Sequence, residues 1–277
     1  PQDQAVGAIS SAATMVLPGP YTHPIQGSLV RNVWPGVAAQ TGLRAVDWSG
    51  MGIRGLSSAL HDVYADAFGA RPDAKQLTEE LGAAWAISDG YHKIFACCQY
   101  GHATIEATCK LLERVSAKRI EAIHLETHKK AWIMDNPDPA TTIAAKFSIQ
   151  HIAATAAIHG GGGAEAFSSG SLRHPEVAAL RQKVTTSPYE PLPDWPNDRP
   201  TRVIWTLDDG STVAEEVLSA RGGPDLPFTP DEIRTKIRNI VHLPYPDMSA
   251  VTDAILDLDQ TTLSQSWRET VRTMTGR

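Results

Sequence analysis

Between Tyr91 and Ala107 the chain reads YHKIFACCQYGHATIEA, which sets a lysine, two histidines, two cysteines and two tyrosines among apolar neighbours. These residue types bind anions or move protons. Lys93, beside Phe95 and the cysteines, keeps its charge by finding an anionic partner, so it can hold a substrate carboxylate or transfer protons with a lowered pKa. The plainer alternative is a surface lysine whose stem lies along the core. His102 follows Cys98 by four residues; on one helix the two would face the same way, and His102 can serve as a general base or cap the helix start. Cys97 and Cys98 become nucleophilic if Lys93 lowers a thiol pKa, whereas packing is the ordinary use of a buried free cysteine.

Other chemistries find little support. Gly160 to Gly163 follow a predicted helix and lack a trailing Lys-Ser/Thr, so they read as a helix stop and not a phosphate loop. HExxH, GxSxG and the dinucleotide-binding glycine fingerprint are absent, and His124 and His128 fall on a predicted strand. The three cysteines, Cys97, Cys98 and Cys109, have neither CxxC spacing nor an even count, so no disulfide framework, metal site or cofactor is expected. A net charge of −6, with 25 basic residues scattered singly, excludes a nucleic-acid footprint. No run approaches a membrane span and no signal peptide is visible, so a cytoplasmic protein without a membrane partner is expected.

The elements that must position this stretch change in kind along the chain. Residues 5–17 are small and apolar, and Pro18, Gly19, Pro20 and Pro24 break them; residues 36–46 are again rich in small residues, and Gly50, Gly52 and Gly55 end that run. The first 90 residues therefore read as helical. Apolar spacing at Ile105, Cys109 and Leu112 predicts a helix over 101–114, after which Ile123, Leu125 and Thr127 alternate as in a strand. Asp138 and Pro139 predict the start of a helix running to residue 158. Residues 188–200 hold five prolines and form a connector; 203–207, Asp208-Asp209-Gly210 and 211–217 read as a β-hairpin. Thr229-Pro230-Asp231-Glu232 is a capping box opening a helix to residue 241, and the tail is helical again. The expected fold is mainly α with an inserted α+β domain: a helical-bundle large domain from 1–90 and 228–277, and a small α+β lid domain over 91–227.

Three segments carry a family resemblance. KIFACCQYGHATIEA resembles the MmgE/PrpD signature K-x-[YF]-P-x-C-x-x-x-H-x-x-I-x-A; LVRNVWPGVAAQTGLRA from Leu29 resembles that family's basic residue followed by G-x-AA-x-x-G; AAKFSIQHIAATAAIHGG from Ala144 resembles its E-A-[KR]-[FH]-S helix. The matches lie in the family's order. The resemblance implies cofactor-independent lyase chemistry on a small di- or tricarboxylic acid, as in 2-methylcitrate dehydratases, with proton abstraction next to a carboxylate. Related decarboxylases and epimerases are the near alternatives. It also implies a homodimer. Lys93 matches the family's active-site lysine, as carboxylate anchor or proton-transfer partner. Arg31 stands in place of a family lysine, and its guanidinium clamps a carboxylate better than it moves a proton. Cys98 and His151 take the places of a histidine and a tyrosine of decarboxylase-type members, which argues against cis-aconitate decarboxylation. The helical N-terminal region that brings further acids and histidines to family active sites has no match here. That makes a separate helical partner chain, or a non-catalytic subunit of a split enzyme, part of the expectation.

Overall fold

The computed structural model describes residues 2–16, 19–71, 73–241 and 244–276. Two helices open it, α1 (Gln2–Thr14) and α2 (Trp34–Gly50). Their small residues let the backbones approach: a Cβ on Gly7 would lie 2.7 Å from Ser49 Oγ. Ser49 Oγ donates to Gln4 O at 2.8 Å, and Ser11 Oγ accepts from Gly55 N at the same distance. The expected end of the first helix at Leu17 and Pro18 lies outside the described residues.

The middle of the chain is built on a four-stranded mixed sheet. In chain order it comprises α3 (His102–Leu112), β1 (Ile120–Thr127), α4 (Ile149–His159), α5 (Pro175–Arg181), β2 (Val184–Pro188), β3 (Thr201–Leu207) and β4 (Thr212–Val217). The strand order is β2-β1-β3-β4, with β1 parallel to β2 and the other pairs antiparallel. Register sets Ile123 against Trp205 and Leu125 against Val203 on the buried face. The opposite face carries Arg202 between Glu126 and Glu216. This inside–outside alternation is what period-2 strands give when one face is covered. The cover is α3, on β3 and β4, with α4 packed against α3, α5 and β2. Four helices follow: α6 (Pro230–Val241), α7 (Pro246–Leu256), the short Gln260–Leu263 and α8 (Trp267–Thr275). The chain is thus mainly helical around one small sheet, and no helix among the described residues is long and apolar enough to cross a membrane.

Three readings of the sequence need correction. The helix expected from Asp138 to residue 158 is two helices: Thr141 caps a short one, Thr142–Ala145, and Ser148 caps α4. Ser148 Oγ accepts from His151 N and donates to Asn136 O, so local side-chain bonds outcompete continuation of the helix. Asp138 pairs instead with Arg181 at 2.8 Å. Strand β2, VTTSP, went unread because it is short and runs straight into the proline-rich connector. His128 stands just after β1, where Nδ1 caps Lys129–Trp132 and the ring stacks on Tyr100. The hairpin and the Thr229–Glu232 capping box stand as expected.

Candidate active site

The Lys93 segment, residues 91–98, is neither helix nor strand, and three main-chain bonds hold it. His92 N donates to Gly222 O at 2.8 Å, Ala96 N to Gly162 O at 2.8 Å, and Cys98 N to Lys146 O at 2.9 Å. Each acceptor lies far along the chain, so the segment is strapped onto the sheet domain at three points. Two of the acceptors are glycines for steric reasons. A Cβ on Gly222, at φ 118°, would lie 2.1 Å from His92 O, and one on Gly162 would lie 2.4 Å from Ile105 Cδ1. The glycine run after α4 therefore has two uses: Gly160, at φ 70°, ends the helix, and Gly162 admits the Lys93 segment.

Within this frame Lys93 Nζ donates to Cys97 O at 3.2 Å. Lys93 and Arg31 meet on the wall of a cavity of about 250 Å³, with Asn32, Phe95, Ala96, Cys97, Ile143, Lys146 and Phe147. Arg31 comes from a 3-10 turn, Leu29–Asn32, and its guanidinium lies 5.9 Å from the centre of the Phe147 ring. Three cations face this cavity, and no acidic side chain lines it. Among the described residues none of the three has a carboxylate within ion-pair distance. Uncompensated like charges at one cavity are the arrangement of a site that takes an anion. A second cavity, of about 750 Å³, opens on the other side of Lys93, between Ile94–Ala96, Gly163–Glu165 and α6. There Lys236 Nζ donates to Lys93 O, and burial, then the charge of Lys93, lowers its pKa.

The remaining candidates lie behind this wall or away from it. Cys97 is 5% exposed and lines the cavity, but burial raises its thiol pKa despite Lys93 and Lys146 nearby, so it is held as a thiol. Cys98 is buried, with Sγ 3.5 Å from Tyr21 Oη. It precedes α3 instead of sitting on it, and the helical spacing that would align it with His102 does not apply. His102 is fully buried under the Lys93 segment, between Tyr91 and Phe95, with Nδ1 3.4 Å from Tyr91 Oη. Burial, then the charge of Lys93, lowers its pKa to about 3. His151 is equally buried; Nε2 lies 3.3 Å from Ala166 O, and burial lowers its pKa to about 4. The structure thus brings Arg31 and Lys93 together, sets Cys98 and His102 behind them, and leaves His151 inside the sheet domain's helical layer. Neither histidine lines any of the cavities described.

Sequence reasoning passed over Lys146 and Asn32. Lys146 had a readable signal: it is a lone charge between Ala145 and Phe147 in an otherwise apolar run. Asn32 had none beyond its place beside Arg31.

A mainly helical chain whose small sheet carries a lysine-bearing segment against a cationic cavity is the class of protein that fold and site define. Residues 95–260, more than half of the chain, match the MmgE/PrpD C-terminal domain. The chain belongs to the MmgE/PrpD family. It is similar to the cis-aconitate decarboxylase of Aspergillus terreus, with 25% identity over 286 aligned residues covering 94% of this chain and 57% of that protein. The protein of the same name from Aspergillus terreus strain NIH 2624 / FGSC A1156 gives the same figures. The chain therefore spans 57% of the length of the curated relatives it matches.

Proposed function

We propose that this chain carries the carboxylate-binding part of a lyase of the 2-methylcitrate dehydratase type. The reaction is abstraction of a proton from a carbon next to a carboxylate and departure of the neighbouring hydroxyl as water, leaving an alkene. Lys93 and Arg31 hold the carboxylates, and neutralising them stabilises the negative charge that builds as the proton leaves. The observation that carries this reading is the convergence of Arg31 and Lys93 on a cavity lined by no acid. Such chemistry requires no redox cofactor, and we assign none. His102 is a neutral imidazole one layer beneath Lys93 and takes a proton only if the 91–98 segment shifts. Cys98 shapes the site from behind, and His151 lies in the helical layer away from it. We place the whole activity in a homodimer, completed by the helical region present in longer family members, whether on the same polypeptide or on a partner chain.

A related decarboxylase is the second reading, favoured by the name borne by both Aspergillus relatives. Proton NMR separates the two. The chain, together with the helical region that completes it, is incubated with 2-methylcitrate, citrate and cis-aconitate in deuterated buffer. A new olefinic methyl singlet or vinylic signal from 2-methylcitrate establishes dehydration, and a terminal alkene pair from cis-aconitate establishes decarboxylation. Unchanged spectra for all three acids, without deuterium exchange next to a carboxylate, overturn the lyase reading for this chain.

A further inference from the structure

Three main-chain bonds hold the 91–98 segment, at His92, Ala96 and Cys98, and none of them falls on Lys93 or on the two residues after it. What reaches Lys93 there is a side chain: Lys236, on α6, donates from Nζ to the Lys93 carbonyl across 143 residues of sequence. Because a peptide unit is planar, a held carbonyl fixes the plane that follows Lys93, as the His92 strap fixes the stretch before it. Between them the direction of the Lys93 Cα–Cβ bond is set. That direction matters, since Lys93 borders both the cavity it shares with Arg31 and the larger one on its other side.

The bond is made in preference to an ion pair. Lys236 lines a cavity with Glu165, Asp231 and Glu232, yet its ammonium meets a neutral carbonyl beside the like charge of Lys93. Two of those acids are engaged by arginines, Glu232 with Arg221 at 2.8 Å and Asp231 with Arg234 at 3.4 Å. Arg221 also ties the start of α6 to the sheet domain, because its N–H donates to Glu106 on α3 at 2.9 Å. Its neighbour Gly222 receives His92 N. Helix α6 and the Lys93 segment are thus referenced to one loop, and Lys236 completes the connection from the helix to the lysine itself.

We propose that Lys236 is a positioning residue: through the Lys93 carbonyl it aims the Lys93 side chain at the cavity shared with Arg31, and so makes the placement of α6 a condition of activity. This rests on the reading of Lys93 as a cation of the reacting site, given above. Lys236 acts through Lys93 and not on the substrate.

A double-mutant cycle tests it, on the chain completed by its helical region and with whichever acid the NMR assay shows to be consumed. Lys236→Met keeps the stem and removes the donor. It should lower kcat/KM about tenfold or more, as misplacement of a reacting group does, whereas Lys236→Arg keeps a cationic donor and should recover most of the loss. In a Lys93→Ala background Lys236→Met should cost less than about twofold further, because nothing is left to position. Losses that add in the double variant, or an unimpaired Lys236→Met, overturn the proposal and leave the lyase reading standing. If no acid is consumed, the lyase reading falls and hydrogen exchange decides the positioning by itself. The amides of residues 93–98 should then exchange at least about threefold faster in Lys236→Met, with β1 unchanged. Unaltered exchange over 93–98 overturns the hold of Lys236 on the segment.

Discussion

Lys93 stands on the cavity wall, whereas His102 and His151 are fully buried away from it. Lys93 gives a single hydrogen bond to the protein, to a neighbouring carbonyl. Lys93→Ala should therefore lower kcat/KM by about a hundredfold or more and leave the thermal midpoint almost unmoved; steady-state kinetics beside a melting curve checks both. His102 and His151 matter through pH. Burial lowers them to about 3 and about 4 from an ordinary 6.5. Below pH 6.5 the unfolded chain takes up these protons while the folded chain does not, so the unfolded state is favoured by acid. Stability is full above that value and falls on acidification through the window down to the folded values, by about 1.4 kcal/mol per pH unit for each histidine. Urea unfolding at pH 7, 6 and 5 should show the decline, and His102→Gln should remove roughly half of its slope.

The Lys93 segment is an element without secondary structure, and its position is borrowed from the glycines that receive it. Gly222→Ala would drive a methyl group into His92 O and strain a φ of 118°, at a cost of roughly 1–3 kcal/mol. The same substitution should weaken citrate binding although residue 222 does not line the cavity. Gly210→Ala is the matching control: it too has positive φ, in the hairpin turn, but nothing lies near its added Cβ, so the cost is about 1 kcal/mol or less with unchanged affinity. Calorimetry on both variants distinguishes a segment held by its straps from one that finds its place unaided.

Across the whole molecule the apolar side chains are unevenly housed. One core cluster gathers residues from Cys97 to Ala220. By contrast Leu43 on α2 is 72% exposed, and Leu81 and Ile87 are 75% and 87% exposed. Exposed apolar side chains in this number favour association. We expect sedimentation to give a species of twice the chain mass that persists at high salt, since an apolar contact is not screened. A monomer at every concentration would show that these faces stay open to water.

Family and mixed architecture were legible in the sequence because each rests on local signals. Strand alternation at Ile123, Leu125 and Thr127, the capping box at Thr229 and the KIFACCQYGH run are all read within a dozen residues. The strand at Val184 and the second use of the glycine run were not, because each depends on a partner distant in the chain, β1 and the Lys93 segment; the break at Ser148 rests on side-chain bonds to Asn136 and His151 that periodicity does not register. The grouping of Arg31, Lys93 and Lys146 is of the same kind. Residue types and spacing state that each is basic; only tertiary packing sets 31, 93 and 146 around one cavity, because charges more than 50 residues apart meet solely through the fold that carries them.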